Sequence, residues 1–174
     1  MALSEIAAAA SRLCLACGLC CNGVLFQIVR LQPGDSVKQL EALGLKLNRK
    51  KHEPYFRQPC RLLNDCTCTQ YAARPSRCRL FECELLRRLA ENAVSESYAR
   101  QCIDEARRQV AEVECRLLEL GNAEVQLPLM ERYLQVLEAD TPGLQPLIAE
   151  MNGLNALLNE HFRREPQGLT QSAR

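Results

Sequence analysis

The sequence predicts an α+β fold that is mostly α: a small, irregular cysteine-rich domain followed by a C-terminal helical extension. Three observations predict it. Nine of the eleven cysteines lie between Cys14 and Cys83, a stretch rich in turn residues and short strand-like runs. From Glu84 onward apolar residues recur at steps of three and four, the helical period. Trp is absent and only eight Phe and Tyr residues occur in 174, so any core outside the cysteines is mainly aliphatic. This length suits one domain, or a small domain with an extension. The change of character places a cysteine-rich domain at 1–85, a helical region at 86–165 and a flexible tail at 166–174.

Residues 3–13 predict a short helix leading into the first cysteine burst. Gly18 permits the tight turn that closely spaced cysteines need, and Asn22-Gly23 marks another. Val24 to Val29 is β-branched and aromatic and predicts a strand. Pro33-Gly34-Asp35-Ser36 starts a helix, with Asp35 or Ser36 as N-cap and Gly44 at its end. Lys46 to His52 reads as a basic loop or edge strand. Tyr55 to Gln58, between Pro54 and Pro59, is a second strand candidate. Cys60 to Cys83 is turn-rich, and periodicity does not order it.

Glu84 to Asn92 predicts a short amphipathic helix on Leu85, Leu86 and Leu89. Ser95 or Ser97 caps the next, whose stripe runs through Ala99, Ile103, Ala106, Val110, Val113, Leu117 and Leu120 to a stop at Gly121-Asn122. That seam reads as internal bundle core rather than a dimer coil. Pro128 to Ala139 predicts a further helix with Met130, Tyr133, Leu134 and Leu137 inward. Leu147, Met151, Leu154, Leu158 and Phe162 mark the last.

Net charge is +1, but it is unevenly spread. Residues 1–83 carry +6 and residues 84–174 carry −5. Arg12, Arg61, Arg74, Arg77 and Arg79 each lie within a few residues of a cysteine. The excess therefore reads as compensation for ionised sulfur, in preference to a nucleic-acid footprint. No segment is long enough to span a membrane. The N-terminus lacks the basic start of a signal peptide and carries Glu5. An odd cysteine count and adjacent Cys20-Cys21 fit disulfide pairing poorly. A reducing cytoplasm is the expected location.

The cysteines carry the chemistry. The first burst is Cys14-Leu-Ala-Cys17-Gly-Leu-Cys20-Cys21, and the second runs from Cys60 through Cys66, Cys68 and Cys78 to Cys83. Soft thiolates at short, fixed spacing suit zinc or iron, including iron–sulfur clusters. In the second burst, Cys68-Thr-Gln-Tyr71-Ala-Ala-Arg74-Pro75-Ser-Arg77-Cys78-Arg79-Leu-Phe81-Glu-Cys83, Pro75 fixes one backbone torsion before Cys78. Tyr71 and Phe81 are placed to wall a site from water. Neither ferredoxin spacing is present.

These two motifs, in this order, resemble the bacterial and archaeal CxxCxxCC (YkgJ-type) cysteine-cluster family, described as zinc- or iron-chelating. The resemblance covers about residues 14–83, and a related cysteine-rich region occurs in flagellin lysine N-methylases. Carried over position by position, it implies Cys14, Cys17, Cys20, Cys21, Cys60, Cys68, Cys78 and Cys83 as metal ligands. Family spacing to Tyr71 favours Cys68 and leaves Cys66 as a spare or alternate. The family's Pro-Phe after the opening cysteine is Arg61-Leu62 here. Eight ligands serve two four-thiolate zinc sites, two iron–sulfur cubanes or one polynuclear site, and sequence leaves all three open.

The remaining candidates read plainly. Cys102 and Cys115 are helix residues without a partner at ligand spacing. His52 reads as a surface histidine and His161 as an ordinary residue at a helix end. The basic Lys46–His52 stretch lacks the aromatic interleaving that stacks bases, which argues against nucleic acid. The helical half offers a surface for a protein partner. No nucleophile elbow, phosphate loop or dinucleotide fingerprint appears. The leading reading is a metal-binding protein in a structural or metal-carrier role. The alternative is an iron–sulfur enzyme acting in redox chemistry or protein modification.

Overall fold

A computed structural model describes residues 3–49, 53–139 and 142–164. Among them are seven helices and two small antiparallel sheets, so the mostly-α reading holds. His52 and the predicted tail from Pro166 lie outside the described residues.

Helix α1 (Leu3–Cys17) is longer than the sequence suggested and takes in Cys14 and Cys17. Nothing breaks it before Gly18, which stands at φ +71. The last carbonyls of α1 have no basic residue of their own helix near them. They are met from outside instead, Leu15 by the Thr67 hydroxyl and Ala16 by the Arg107 guanidinium. The predicted strand at 24–29 shrinks to β1 (Ile28–Arg30). Residues 24 and 25 pack on the helical core, and their side chains therefore do not alternate across a sheet. Helix α2 (Val37–Ala42) is capped by Ser36, whose hydroxyl accepts from the Gln39 N–H. Asp35 reaches elsewhere, as described below. Strand β2 (Tyr55–Arg57) pairs antiparallel with β1, Val29 opposite Phe56. A two-residue hairpin follows, β3 (Leu63–Asn64) with β4 (Thr67–Cys68). Helix α3 (Ser76–Leu80) carries Cys78.

The helical part follows its apolar stripes. Helix α4 (Glu84–Ala90) buries Leu85 and Leu89. Helix α5 (Glu96–Glu119) is capped by Ser95 and buries Ala99, Cys102, Ile103, Ala106, Val110, Val113 and Leu117. Helix α7 (Gln145–His161) lays Leu147, Met151, Leu154 and Leu158 against it, with Phe162 just beyond. Helix α6 (Leu129–Glu138) departs from expectation. Its buried residues are Leu129, Arg132 and Val136, while Leu134 is 46 % exposed. Met130 and Tyr133 do pack against the core as expected, while the buried Arg132 takes a core position and donates to the Asn122 side-chain and backbone oxygens. His161 is also not the bland terminal residue expected. It is 7 % exposed and lies edge-on to Tyr98, with ring centroids 6.2 Å apart.

One core cluster joins Ala9, Leu13 and Leu19 of the cysteine-rich part to the buried faces of α4, α5, α6 and α7. A smaller one gathers Val29, Leu31, Leu40, Leu45, Phe56 and Cys60. Among the described residues no helix is long and apolar enough to cross a membrane.

The observed phase of α6 makes a direct prediction. Leu134→Gln changes stability by no more than about 0.5 kcal/mol, whereas Val136→Ala costs about 1–3 kcal/mol. Chemical denaturation of both variants checks it, and equal effects would restore the inward Leu134.

Candidate metal centre

Local structure brings the cysteines together in two ways. On α1, Cys14 and Cys17 sit three residues apart and so share a face. Gly18 then turns the chain so that the Cys21 and Asn22 N–H groups both donate to its carbonyl, at 2.8 and 3.0 Å. A Cβ at Gly18 would stand 3.0 Å from the Cys66 Cα, so both the positive φ and the close approach of the β3–β4 hairpin require glycine. The Cys20-Cys21 turn is stitched to the second burst, because Cys60 N–H donates to the Cys21 carbonyl at 2.7 Å and Gln58 Nε2 to the Cys20 carbonyl at 3.1 Å.

Asp35 positions Cys78. Its carboxylate accepts from the Gln32 N–H and from both the N–H and hydroxyl of Ser76, the first residue of α3. Burial works against its charge, yet these hydrogen bonds hold the carboxyl below its ordinary range. Sequence reasoning saw Asp35 only as a possible cap for α2. Its true partner is 41 residues away, and no local pattern signals it.

The eight predicted ligands sort into two neighbourhoods. Cys17 lies within electrostatic reach of Cys83 and Cys14, and Cys20 within reach of Cys17, Cys83 and Cys14. Cys21 lies within reach of Cys60, Cys68 and Cys78, and Cys78 within reach of Cys60 and Cys68. Adjacent Cys20 and Cys21 join the two groups. Cys66 lines the same cavity. Among the described residues, no three Cys, His, Asp or Glu side chains are drawn close enough to grip a single ion.

The thiols surround a cavity of about 490 Å³, lined by every cysteine of the two bursts except Cys60. Its apolar wall comes from distant elements, Leu13 and Leu19 beside Ile103 and Phe162. Phe81, predicted as a wall, packs edge-on against Phe26 at 4.8 Å. Tyr71, also predicted, lines the cavity and carries the Arg74 guanidinium 3.5 Å above its ring. Phe26, Ile103 and Phe162 were not foreseen as cavity residues, since only the tertiary fold brings them there.

Burial pushes the Cys17, Cys21 and Cys78 thiols up to about 12 and Cys83 up to about 11. It also raises Cys14 and Cys60, and Cys20 strongly. Backbone N–H groups pull the other way: Leu19 on Cys17, Leu62 on Cys60, and Leu86 and Leu85 on Cys83. N–H groups two residues beyond a cysteine and aimed at its sulfur stabilise a thiolate once it forms. Arg74 does the same for Cys14, Cys21 and Cys78, and Arg107 for Cys17. Cys102 is buried in α5 and Cys115 is exposed, and neither lines the cavity.

A donor set made of sulfur, gathered around one cavity with amide and guanidinium support, defines a protein that chelates soft or borderline metal ions through cysteine. The chain belongs to the CxxCxxCC family, described as a "putative zinc- or iron-chelating domain", whose pattern matches residues 13–116. The match therefore extends past both cysteine bursts into α5, which supplies the Ile103 wall. No curated protein and no solved structure matches the chain.

Two predictions follow from this geometry. Gly18→Ala destabilises the protein by about 1–3 kcal/mol, read by denaturation, and lowers metal content in the same preparation. Stability without metal also has a fixed sign with pH. Unfolded thiols ionise near the ordinary value of 9.0, while the folded ones hold their protons to about 11–12. The metal-free fold is therefore unaffected below about 9 and loses stability as pH rises from there to 12. Metal binding releases protons, so metal affinity rises with pH instead. Melting curves taken across pH 7–11 should, with metal, climb to about pH 9.0 and then level, and, with chelator, stay level to about 9.0 and then fall.

Proposed function

We propose that this is a cytoplasmic metal-binding protein with two four-cysteine centres. Cys14, Cys17, Cys20 and Cys83 hold one, and Cys21, Cys60, Cys68 and Cys78 hold the other. The observation that carries the reading is the sorting of eight thiols into two groups of four, each within reach of one another's charge. Four thiolates complete the coordination of zinc and also anchor an iron–sulfur cluster. A site saturated by thiolates leaves no open position for substrate, which favours a structural or metal-carrier role over catalysis. Eleven unpaired cysteines suit a reducing compartment.

A second reading concerns the metal, and the spacing of the thiols favours it. Four sulfurs around one zinc stand about 3.8 Å apart. Around a cubane cluster they stand roughly 6 Å apart, because the inorganic core separates them. Among the described residues no three thiols stand close enough to hold a single ion, and zinc would require them to draw together. Iron–sulfur clusters fit the wider arrangement, and they keep redox or protein-modification chemistry as the alternative role.

Anaerobic purification with metal and sulfide analysis tests both readings. The expected result is iron, acid-labile sulfide and absorbance near ~400 nm. A colourless protein with two zinc per chain would keep the two centres and reverse the metal. Cys83→Ser and Cys78→Ser should each lose about half the metal. Cys66→Ser should keep it all, whereas Cys68→Ser should not. Complete metal loss from either Cys83→Ser or Cys78→Ser, in a folded variant, would replace two centres with one polynuclear site.

A further inference from the structure

Apart from the thiols and Tyr71, the ionisable side chains lining the thiol cavity are all arginines: Arg30, Arg74 and Arg77, with no Asp or Glu there among the described residues. Arg74 is already engaged, donating to the Tyr71 carbonyl and stacked on its ring. Arg30 on β1 and Arg77 on α3 are not, and neither pairs with a carboxylate among the described residues. Helix α3 packs against β1, so the two arginines stand on neighbouring elements. Both reach solvent, since Arg77 is exposed and Arg30 half-buried. Leu80 of α3 also lines the cavity and is 79 % exposed, so the cavity opens to water at this helix. Asp35 lies within the field of Cys78 but does not line the cavity, and its carboxylate is met by Gln32 and Ser76 and lies beside Arg79.

Charge at this opening bears on how metal enters. A protonated thiol is neutral, and metal displaces its proton. Until that happens, the cavity carries the positive charge of its arginines, a field that opposes an incoming cation and favours an anion. A divalent ion held by four thiolates leaves about −2 at each centre. Two such centres outweigh three arginines, so the same opening draws in an anion before loading and expels it afterwards. The volume, about 490 Å³, suits a small molecule rather than a protein, since such pockets span roughly 300–1,000 Å³.

We propose that metal enters this cavity as an anionic complex with a small polycarboxylate, whose free carboxylate groups dock on Arg30 and Arg77. The proposal rests on the reading that the cavity thiols take metal. In the exchange, metal–oxygen bonds break and metal–sulfur bonds form. Each thiol proton passes to the departing carboxylates or to water, and the metal keeps its oxidation state.

Zinc–citrate is the probe, added to the reduced, metal-free, full-length chain at low ionic strength. At a fixed concentration of free zinc, about tenfold more zinc–citrate should raise the initial rate of zinc uptake roughly threefold or more. Zinc–bipyridine, a cationic complex, should not raise it at matched free zinc. Arg30→Gln/Arg77→Gln should remove most of the citrate response, and Arg77→Glu, at an exposed position, should lower it by roughly threefold. Circular dichroism of each sample checks the fold. A rate set by free zinc alone, equal responses to the two complexes, or a citrate response that survives in the folded variants would overturn the proposal, as would a metal-free chain that is unfolded. Final zinc content separates this failure from that of the metal reading. A chain that takes no zinc from any source fails both, whereas one that fills without regard to citrate fails only here.

Discussion

Desolvation of clustered sulfur is the constraint on which the rest of this structure depends. A neutral thiol is a small hydrophobe and tolerates burial well. A thiolate does not, and several thiolates in one cavity repel one another as well. The raised thiols of Cys17, Cys21 and Cys78 show how strongly this interior resists bare negative charge. A metal cation reverses that balance, since it is the partner that lets several sulfurs ionise side by side. The chain has done the preparatory work by closing the distances in sequence between the bursts. Cys60 is held to Cys21, Gln58 to Cys20, and α3 to Asp35, all by hydrogen bonds that do not involve sulfur.

The helical part serves that arrangement. Helix α5 is the common wall, with α7 packed along it and α1 against it. Arg12 of α1 grips Glu96 of α5 with two hydrogen bonds, at 2.8 and 3.0 Å, and Arg107 of α5 caps the end of α1. The end of α7 reaches the same place, because the Phe162 carbonyl accepts from the Glu84 N–H beside Cys83. Burial of the aliphatic stripes therefore fixes where α1 ends and where α4 begins. Those two points carry Cys14, Cys17 and Cys83. A cysteine-rich segment with so little periodic core of its own borrows its rigidity from these helices.

The helices were legible because period is a local signal. The stripe from Ala99 to Leu117 and that from Leu147 to Phe162 are buried as read. Where a polar residue takes a core position the reading holds only in part, as in α6, where Met130 and Tyr133 pack inward but Arg132, bonded to Asn122, is buried and Leu134 is not. The strands were overextended for a related reason. Val24 and Leu25 have strand-forming side chains, but the core they join is helical. Of the cysteine region, the motif spacing and the aromatic residues Tyr71 and Phe81 could be read directly. The division of eight cysteines into two groups could not, because Cys83 joins the N-terminal burst and Cys21 joins the second across long stretches of chain.

The basic excess of the first half resolves into several uses once the fold is known. Arg74 lies beside the thiols, stacked on Tyr71, and Arg77 lines their cavity, as proximity in sequence suggested. Arg12 lies as near a cysteine in sequence, yet its charge is given to Glu96 on α5. Arg79 is turned to the Ser76 hydroxyl, within the field of Asp35. Arg61 follows Cys60 directly but faces a second cavity, beside Lys46. Alternation along the 56–61 segment accounts for this: Phe56, Gln58 and Cys60 are buried while Arg57 and Arg61 are exposed. One short stretch of chain thus turns the Cys60 thiol inward and the Arg61 charge out to solvent. Compensation of sulfur explains the cations on the inward side only, so the charge left over outside is a separate property of the fold.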